Sequence, residues 1–351
     1  MASVRYQVHR ENHDSGLIDE LAARHPRVGV VGVLGGRGRR ARVGRVPAPA
    51  ATEGLRWAPL DGWSRRWWPQ GIEVLQGADP ARDDVLLVSW FAQQRRGLSQ
   101  GARVTVVDRR DPRRPRYHHV LLVEPFRDGA AVGMRPVVIH AGGLAAVGTR
   151  LYAAATYGGL RRFDLGDILR VRGRGPFGYR YVLPQSGHER LVGGENTSEG
   201  DARMRFSFVS VERAPSGDPG EGRRGGEHLV VGEFGPEHHG RRLGRIPLAG
   251  ADERVEVIDL HEPGIARMQG ATVVGGTWFV SASHGSRPGD LWVGSGGTWA
   301  RHPAVLPPGP EDLSASHDGR PLWSLSEYPG KRWVFAMDAE RWRKESASAG
   351  T

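Results

Sequence analysis

Four side chains of this 351-residue chain are of the types that perform acid–base work: His140, His284, Glu233 and Glu311. An imidazole titrates near neutrality, and a crowded carboxyl is raised toward it, so a His/Glu pair can move a proton to or from a substrate. Trp90, Tyr157 and Tyr328 offer flat faces to a ring, and Gln70, Gln269, Asp312 and Glu327 offer hydrogen bonds. No organic cofactor is implied. A divalent cation is compatible with His140, His284 and a neighbouring Glu or Gln. Spacing groups these residues. Gln70, His140, Arg203, Gln269 and the pair Glu311-Asp312 each stand just before a short apolar run. Trp90, Tyr157, Glu233, His284, Glu327 and Tyr328 stand at or just after the end of the next such run.

Other chemistries are excluded or unsupported. The chain has no Cys, which removes disulfides, thiolate catalysis and Cys-based zinc sites. It has no Gly-x-Ser-x-Gly, no His-Glu-x-x-His and no phosphate-binding Gly-x-x-x-x-Gly-Lys. The net charge of +10 is almost entirely Arg, since Lys occurs only at Lys331 and Lys344. That balance matches GC-rich codon usage better than a dedicated nucleic-acid surface. Arg109, Arg110, Arg113, Arg114 and Arg116 form a cluster with no interleaved aromatic beyond Tyr117, and read as a solvated loop. The apolar run at 28–34 contains two glycines and is far too short to span a bilayer. The first residues lack the form of a secretion signal. The expectation is a soluble monomer with a small-molecule ligand, no specific nucleic acid and no membrane. It is cytoplasmic as given, or secreted if a leader has been removed. The sequon Asn196-Thr197-Ser198 carries little meaning without that leader.

A hydrophobic fraction of 38% with 51 Gly and 24 Pro favours short strands and turns over long helices. Residues 267–293 show the pattern. Runs at 270–274, 278–282 and 290–293 read as strands, and Gly275-Gly276 supplies a hairpin turn. The arrangement repeats at 311–338. Second strands of the repeat begin at 85, 151, 229, 278 and 322. The last two intervals suit a four-stranded unit of roughly 40–50 residues. The longer ones hold charged, Gly/Pro-rich insertions at 108–116, 126–135 and 215–226. His238-His239 reads as surface display in another such loop. Residues 1–55 form a basic leader, with a mobile loop at 35–42, a helix at 15–23 capped by Asp14 or Ser15, and a strand at 4–8 or 42–46. Trp57, Trp63, Trp67 and Trp68 read as a core plug in preference to a stacking platform. Residues 341–351 read as a polar tail.

The units 140–165, 268–293 and 311–337 resemble blades of a β-propeller, of the kind found in bacterial, actinobacterial-like propeller proteins, many without an assigned activity. The resemblance covers about residues 70–338. The Trp-Asp repeat signature and the kelch glycine pattern are both missing. Such a resemblance implies an all-β domain over 56–340 with five blades, or six if the long intervals conceal a further sheet. The last blade would be closed by an amino-terminal strand, taken here as 42–46. It also implies that residues before first strands and after second strands converge on one mouth of the central channel. The functional expectation is an enzyme of hydrolase, lyase or cyclase type acting there on a small polar or polycyclic molecule. The alternative is a ligand-binding or protein-interaction propeller using the same face.

Overall fold

The computed structural model describes residues 6–75, 84–94, 99–173, 175–193, 204–212, 228–235, 241–248, 252–295 and 297–349. The insertion at 215–226, the sequon, Arg203 and His238-His239 lie outside the described residues. The fold is all-β and propeller-like, built from antiparallel four-stranded runs that repeat along the chain. The first run is Trp67–Leu75, Val85–Ala92, Ala102–Asp108 and Arg116–Asp128, and the second is Leu144–Val147, Arg150–Ala154, Leu160–Asp164 and Tyr181–Gly193. The third is Phe208–Val211, His228–Gly232, Leu243–Pro247 and Ile258–His261. The fourth is Met268–Val274, Thr277–His284, Arg287–Ser295 and Thr298–Pro308. Last come Pro310–Ala315, Pro321–Ser326 and Trp333–Asp338, whose fourth strand is Ala51–Arg56. The first strand of every run contacts the first strands of at least two others, and these five strands touch in a cycle.

Two features explain why the inner strands pack so closely. Glycine stands where backbones meet: a Cβ on Gly143 would lie 2.3 Å from the Val209 nitrogen, and one on Gly270 would lie 2.5 Å from the Asp312 Cα. Buried hydroxyls and carboxylates then pin neighbouring runs together. Ser89 Oγ donates to Ala141 O at 2.6 Å, Ser210 Oγ to Ala271 O at 2.6 Å, and Ser281 Oγ to Glu311 O at 2.6 Å. Asp312 Oδ2 accepts from both Ile72 N and Leu144 N at 3.1 Å, so one carboxyl ties three inner strands. Because backbone atoms cannot move aside as a flexible side chain can, Gly143→Ala is expected to cost roughly 1–3 kcal/mol or more. Urea denaturation at neutral pH checks this, and an unchanged midpoint contradicts the packing argument.

The structure departs from the sequence expectations at several points. The strand hydrogen-bonded to Trp333–Asp338 is Ala51–Arg56 and not 42–46; Arg42–Val43 lies one place further out. Tyr6–Asn12 also pairs, with Tyr181–Gly193 on one side and Arg254–Glu256 on the other. Tyr181–Gly193 serves two runs, because its start pairs in parallel with Arg116–Asp128 before it crosses to Leu160–Asp164. The supposed loop at 126–135 is a hairpin between Arg116–Asp128 and Ala131–Pro136. The basic segment at 35–42 is anchored, with Arg39–Arg40 paired to Tyr117 and Arg116 and Arg39 bonded to Asp61 at 2.6 Å. Arg109 is buried over the Trp323 ring, bonded to Glu53. The polar tail is a helix, Ala339–Ala349, which buries Trp342. The leader helix is as expected: Ser15–Arg24, with Asp14 accepting from Gly16 N. Trp57 and Trp67 are buried in the core, while Trp63 is exposed.

Candidate functional site

A cavity of ≈ 530 Å³ opens beside the starts of the inner strands. It is lined by Gln70, His140, Gly142, Thr156, Tyr157, Arg205, Ser207, Phe234, Gln269, Glu311 and Glu327. Six of the candidate residues meet there: Gln70, His140, Tyr157, Gln269, Glu311 and Glu327. They come from four different runs; Gln70 sits at the register shift within Trp67–Leu75, and the others stand at the end of a strand or in the segment leading into or out of one.

Two carboxyls dominate its interior. Glu311 is only 2% exposed and accepts a long hydrogen bond from Gln269 Nε2 at 3.4 Å. Burial, reinforced by the charges of Glu327 and Asp312, pushes its pKa well above the ordinary carboxylate range. Glu327 accepts from Gln70 Nε2 at 3.1 Å and is also hydrogen-bonded by the Tyr328 hydroxyl. Burial raises its pKa too, outweighing those two bonds and the nearby Arg332 charge. His140 lies at the rim with its ring 4.4 Å from that of Phe91. Solvent reaches it through the mouth, yet the surrounding walls crowd it, and this desolvation moves its pKa below the usual 6.5. Thus the site holds two carboxyls biased toward the protonated form and an imidazole biased toward the neutral form. Backbone strain collects here as well: Ala141 and the β-branched Thr156 adopt φ of 54° and 53°.

The other candidates are placed elsewhere. Trp90 is fully buried, edge-on to Trp57 at 4.9 Å and with the Arg103 guanidinium 4.7 Å from its ring centre. Asp312 lies behind the cavity as the strand tie already described, and its Oδ1 has no hydrogen-bond partner. Tyr328 sets its ring against Trp68 at 6.0 Å and supports Glu327. Glu233 is 0% exposed and gripped by Arg242, Nε to Oε2 at 2.7 Å and Nη2 to Oε1 at 2.8 Å. His284 belongs to a strand that runs on into a hairpin at Gly285. Its Nε2 meets Asp290 Oδ2 at 2.8 Å, on the third strand, and Arg301 shares that carboxylate. Among the described residues, no group of three or more His, Asp or Glu is arranged to hold a metal ion, and no helix is long and apolar enough to cross a membrane.

Sequence reasoning missed Thr156, Arg205, Ser207 and Phe234. The signal available was position, since each stands just before or just after a strand. Phe234 lies just past the end of the strand His228–Gly232, and it lines the cavity where its buried neighbour Glu233 does not. The third inner strand begins at Phe208 and not at 204, which brings Arg205 and Ser207 into the segment leading to it.

No known protein family matches the chain, and no curated protein sequence matches it. Among solved structures it is similar to a gluconolactonase from Xanthomonas campestris, at 14% identity and a TM-score of 0.40 over 90% of each chain. It is similar to Kuenenia stuttgartiensis hydrazine synthase at 15% identity and a TM-score of 0.38, covering 82% of this chain and 81% of that one. For Myxococcus xanthus glutaminyl cyclase the values are 13%, 0.35, 86% and 100%. Likeness of this size transfers no activity to this chain.

Proposed function

We propose that the protein is an enzyme acting on a small polar molecule at the mouth of a five-bladed propeller, by acid–base chemistry of Glu311 and Glu327 assisted by His140. The cycle of contacts among five inner strands and the pairing of Ala51–Arg56 with Trp333–Asp338 support the five-bladed, amino-terminally closed ring. The observation that carries the functional reading is the pair of crowded carboxyls in one cavity, each hydrogen-bonded by a Gln amide.

The two environments assign the roles. Glu311 is the more deeply buried and faces two other acids, so it holds its proton and serves as the general acid. Glu327 is less buried, with two hydrogen bonds and the Arg332 charge favouring its ionised form, so it serves as the base. Glu311 then protonates a carbonyl or leaving-group oxygen while Glu327 takes the proton from water or from a nucleophile within the substrate. Neutral His140 relays a proton between the cavity and solvent. Hydrolysis, elimination and cyclisation share this geometry.

The test is a turnover screen of small lactones, esters and amides, with the wild type beside Glu327→Gln. The wild type is expected to give a bell-shaped pH dependence, and the variant to lose about 100-fold or more in kcat together with one limb of the bell. A folded Glu327→Gln with the wild-type rate and profile would falsify the acid–base assignment.

A further inference from the structure

Arg205 is the only Arg or Lys lining the cavity among the described residues. Its guanidinium carbon stands 5.9 Å from the centre of the Tyr157 ring, and its Nε is buried with no hydrogen-bond partner. The carboxylate beside it is already saturated. Glu233 accepts the Arg205 backbone N–H at 2.9 Å, the Arg242 N–H at 3.2 Å and both prongs of the Arg242 guanidinium. The two acids that share the cavity are bonded to Gln70 and Gln269. Among the described residues no acid pairs with the Arg205 guanidinium, so a fixed positive charge borders the cavity. An unpaired guanidinium at a partly enclosed site is costly unless a ligand completes its hydrogen bonds, and its planar fork matches an oxyanion.

We propose that Arg205 anchors an anionic group of the ligand, a carboxylate or a phosphate, while Tyr157 and Phe234 receive the adjoining carbon skeleton. Tyr157 is 75% and Phe234 39% exposed, so both rings have uncovered apolar surface to offer. The substrate class is then a small organic oxyanion, whose charged end is held at Arg205 and whose reacting end lies toward Glu311 and Glu327. This rests on the cavity chosen above as the ligand site, and not on the acid–base roles assigned within it.

The experiment is calorimetric titration of acetate, benzoate, inorganic phosphate and phenyl phosphate, with benzamide as the uncharged control. Each is added to the wild type, Arg205→Gln, Arg205→Lys and Glu327→Gln. At least one anion is expected to bind the wild type about 10-fold or more tightly than benzamide, and Arg205→Gln to remove that advantage. Arg205→Lys restores part of it, as a charge without the fork. Glu327→Gln keeps or strengthens it. Preference for benzoate over phenyl phosphate, or the reverse, identifies the oxyanion. Equal binding of benzamide and the anions, unchanged affinity in Arg205→Gln, or no binding of any of the four anions overturns the proposal. The comparison with benzamide and Arg205→Lys decides the matter even where Arg205→Gln folds poorly. Should Glu327→Gln keep full turnover while anion binding depends on Arg205, the acid–base reading fails and this one stands; the opposite pattern overturns this one alone.

Discussion

Asp61→Ala is expected to destabilise the protein by about 3–5 kcal/mol, the loss typical of breaking a buried ion pair from one side. Asp61 is 4% exposed and sits on a short helical turn, Pro59–Gly62. Its carboxylate accepts from Arg39 Nη1 at 2.6 Å, Tyr117 Oη at 2.7 Å, Arg103 Nη2 at 3.1 Å and His119 Nε2 at 3.1 Å. Arg103 cannot retreat to water, because its guanidinium is held between the Trp67 and Trp90 rings at 4.3 and 4.7 Å. Removing the carboxylate strands a buried cation and two further donors. Urea denaturation at pH 7 measures the effect, and a loss below about 1 kcal/mol would mean that Arg103 finds another partner.

The same cluster sets the response to acid. Burial alone would raise Asp61, but the hydrogen bond and charge of His119, with Arg103 and Tyr117, hold it well below the ordinary range. Burial and the Arg103 charge push His119 down to about 4, against the opposing pull of Asp61. Since His119 is neutral above that pH, the arginines and the Tyr117 hydroxyl hold the carboxylate near neutrality. Both groups bind protons more readily in the unfolded chain. Stability therefore declines as pH falls from the usual His value of 6.5 toward 4, and again below the usual Asp value of 3.8. In Asp61→Ala the second decline disappears.

The second large effect has the opposite sign. Glu311→Gln is expected to raise Tm by a few degrees at pH 7 while removing turnover. The folded pKa of Glu311 lies above its ordinary value, so the folded state binds this proton more tightly than the unfolded one. Its contribution costs nothing below pH 4.5, and stability is lost as pH rises from there through the raised pKa. A glutamine keeps the acceptor for Gln269 and carries no charge beside Glu327 and Asp312. Thermal unfolding at pH 4 and pH 7 checks the sign: the gain should be present at pH 7 and absent at pH 4. A destabilised variant at pH 7 would mean that Glu311 is stabilised as a carboxylate, and its role as the acid would go with it.

What the sequence revealed and what it hid divide along physical lines. Strand order and the meeting of Gln70, His140, Gln269 and Glu311 were legible because apolar runs, glycine turns and polar residues flanking them are local signals. Phase within a strand was less legible. Choosing His284 over its neighbours depends on a period of two, and one residue of error reverses the face; Glu233 and Phe234 lie past a strand's end, where no period separates them. Long-range charge pairing was not legible at all. Nothing near Arg109 in the chain announces Glu53, and nothing near Arg103 announces Asp61. Trp90 is ambiguous in the sequence for a related reason: an aromatic near a strand end serves a core as readily as a ligand, and here the core contains the buried guanidinium it stacks on.

The pairing of Ala51–Arg56 with Trp333–Asp338 also bears on time. Arg56 faces Trp333, so joining them closes a loop of about 280 residues. Local hairpins such as Thr277–His284 with Arg287–Ser295 can form within microseconds, whereas this junction must wait for nearly everything between. During synthesis, Ala51–Arg56 emerges long before its partner and stays an open edge until Trp333–Asp338 has been made. The slowest step of folding should therefore be the docking of an early strand onto a late one. Conditions that hold the nascent chain dilute or chaperoned should raise the yield of native protein more than those that merely favour strand formation.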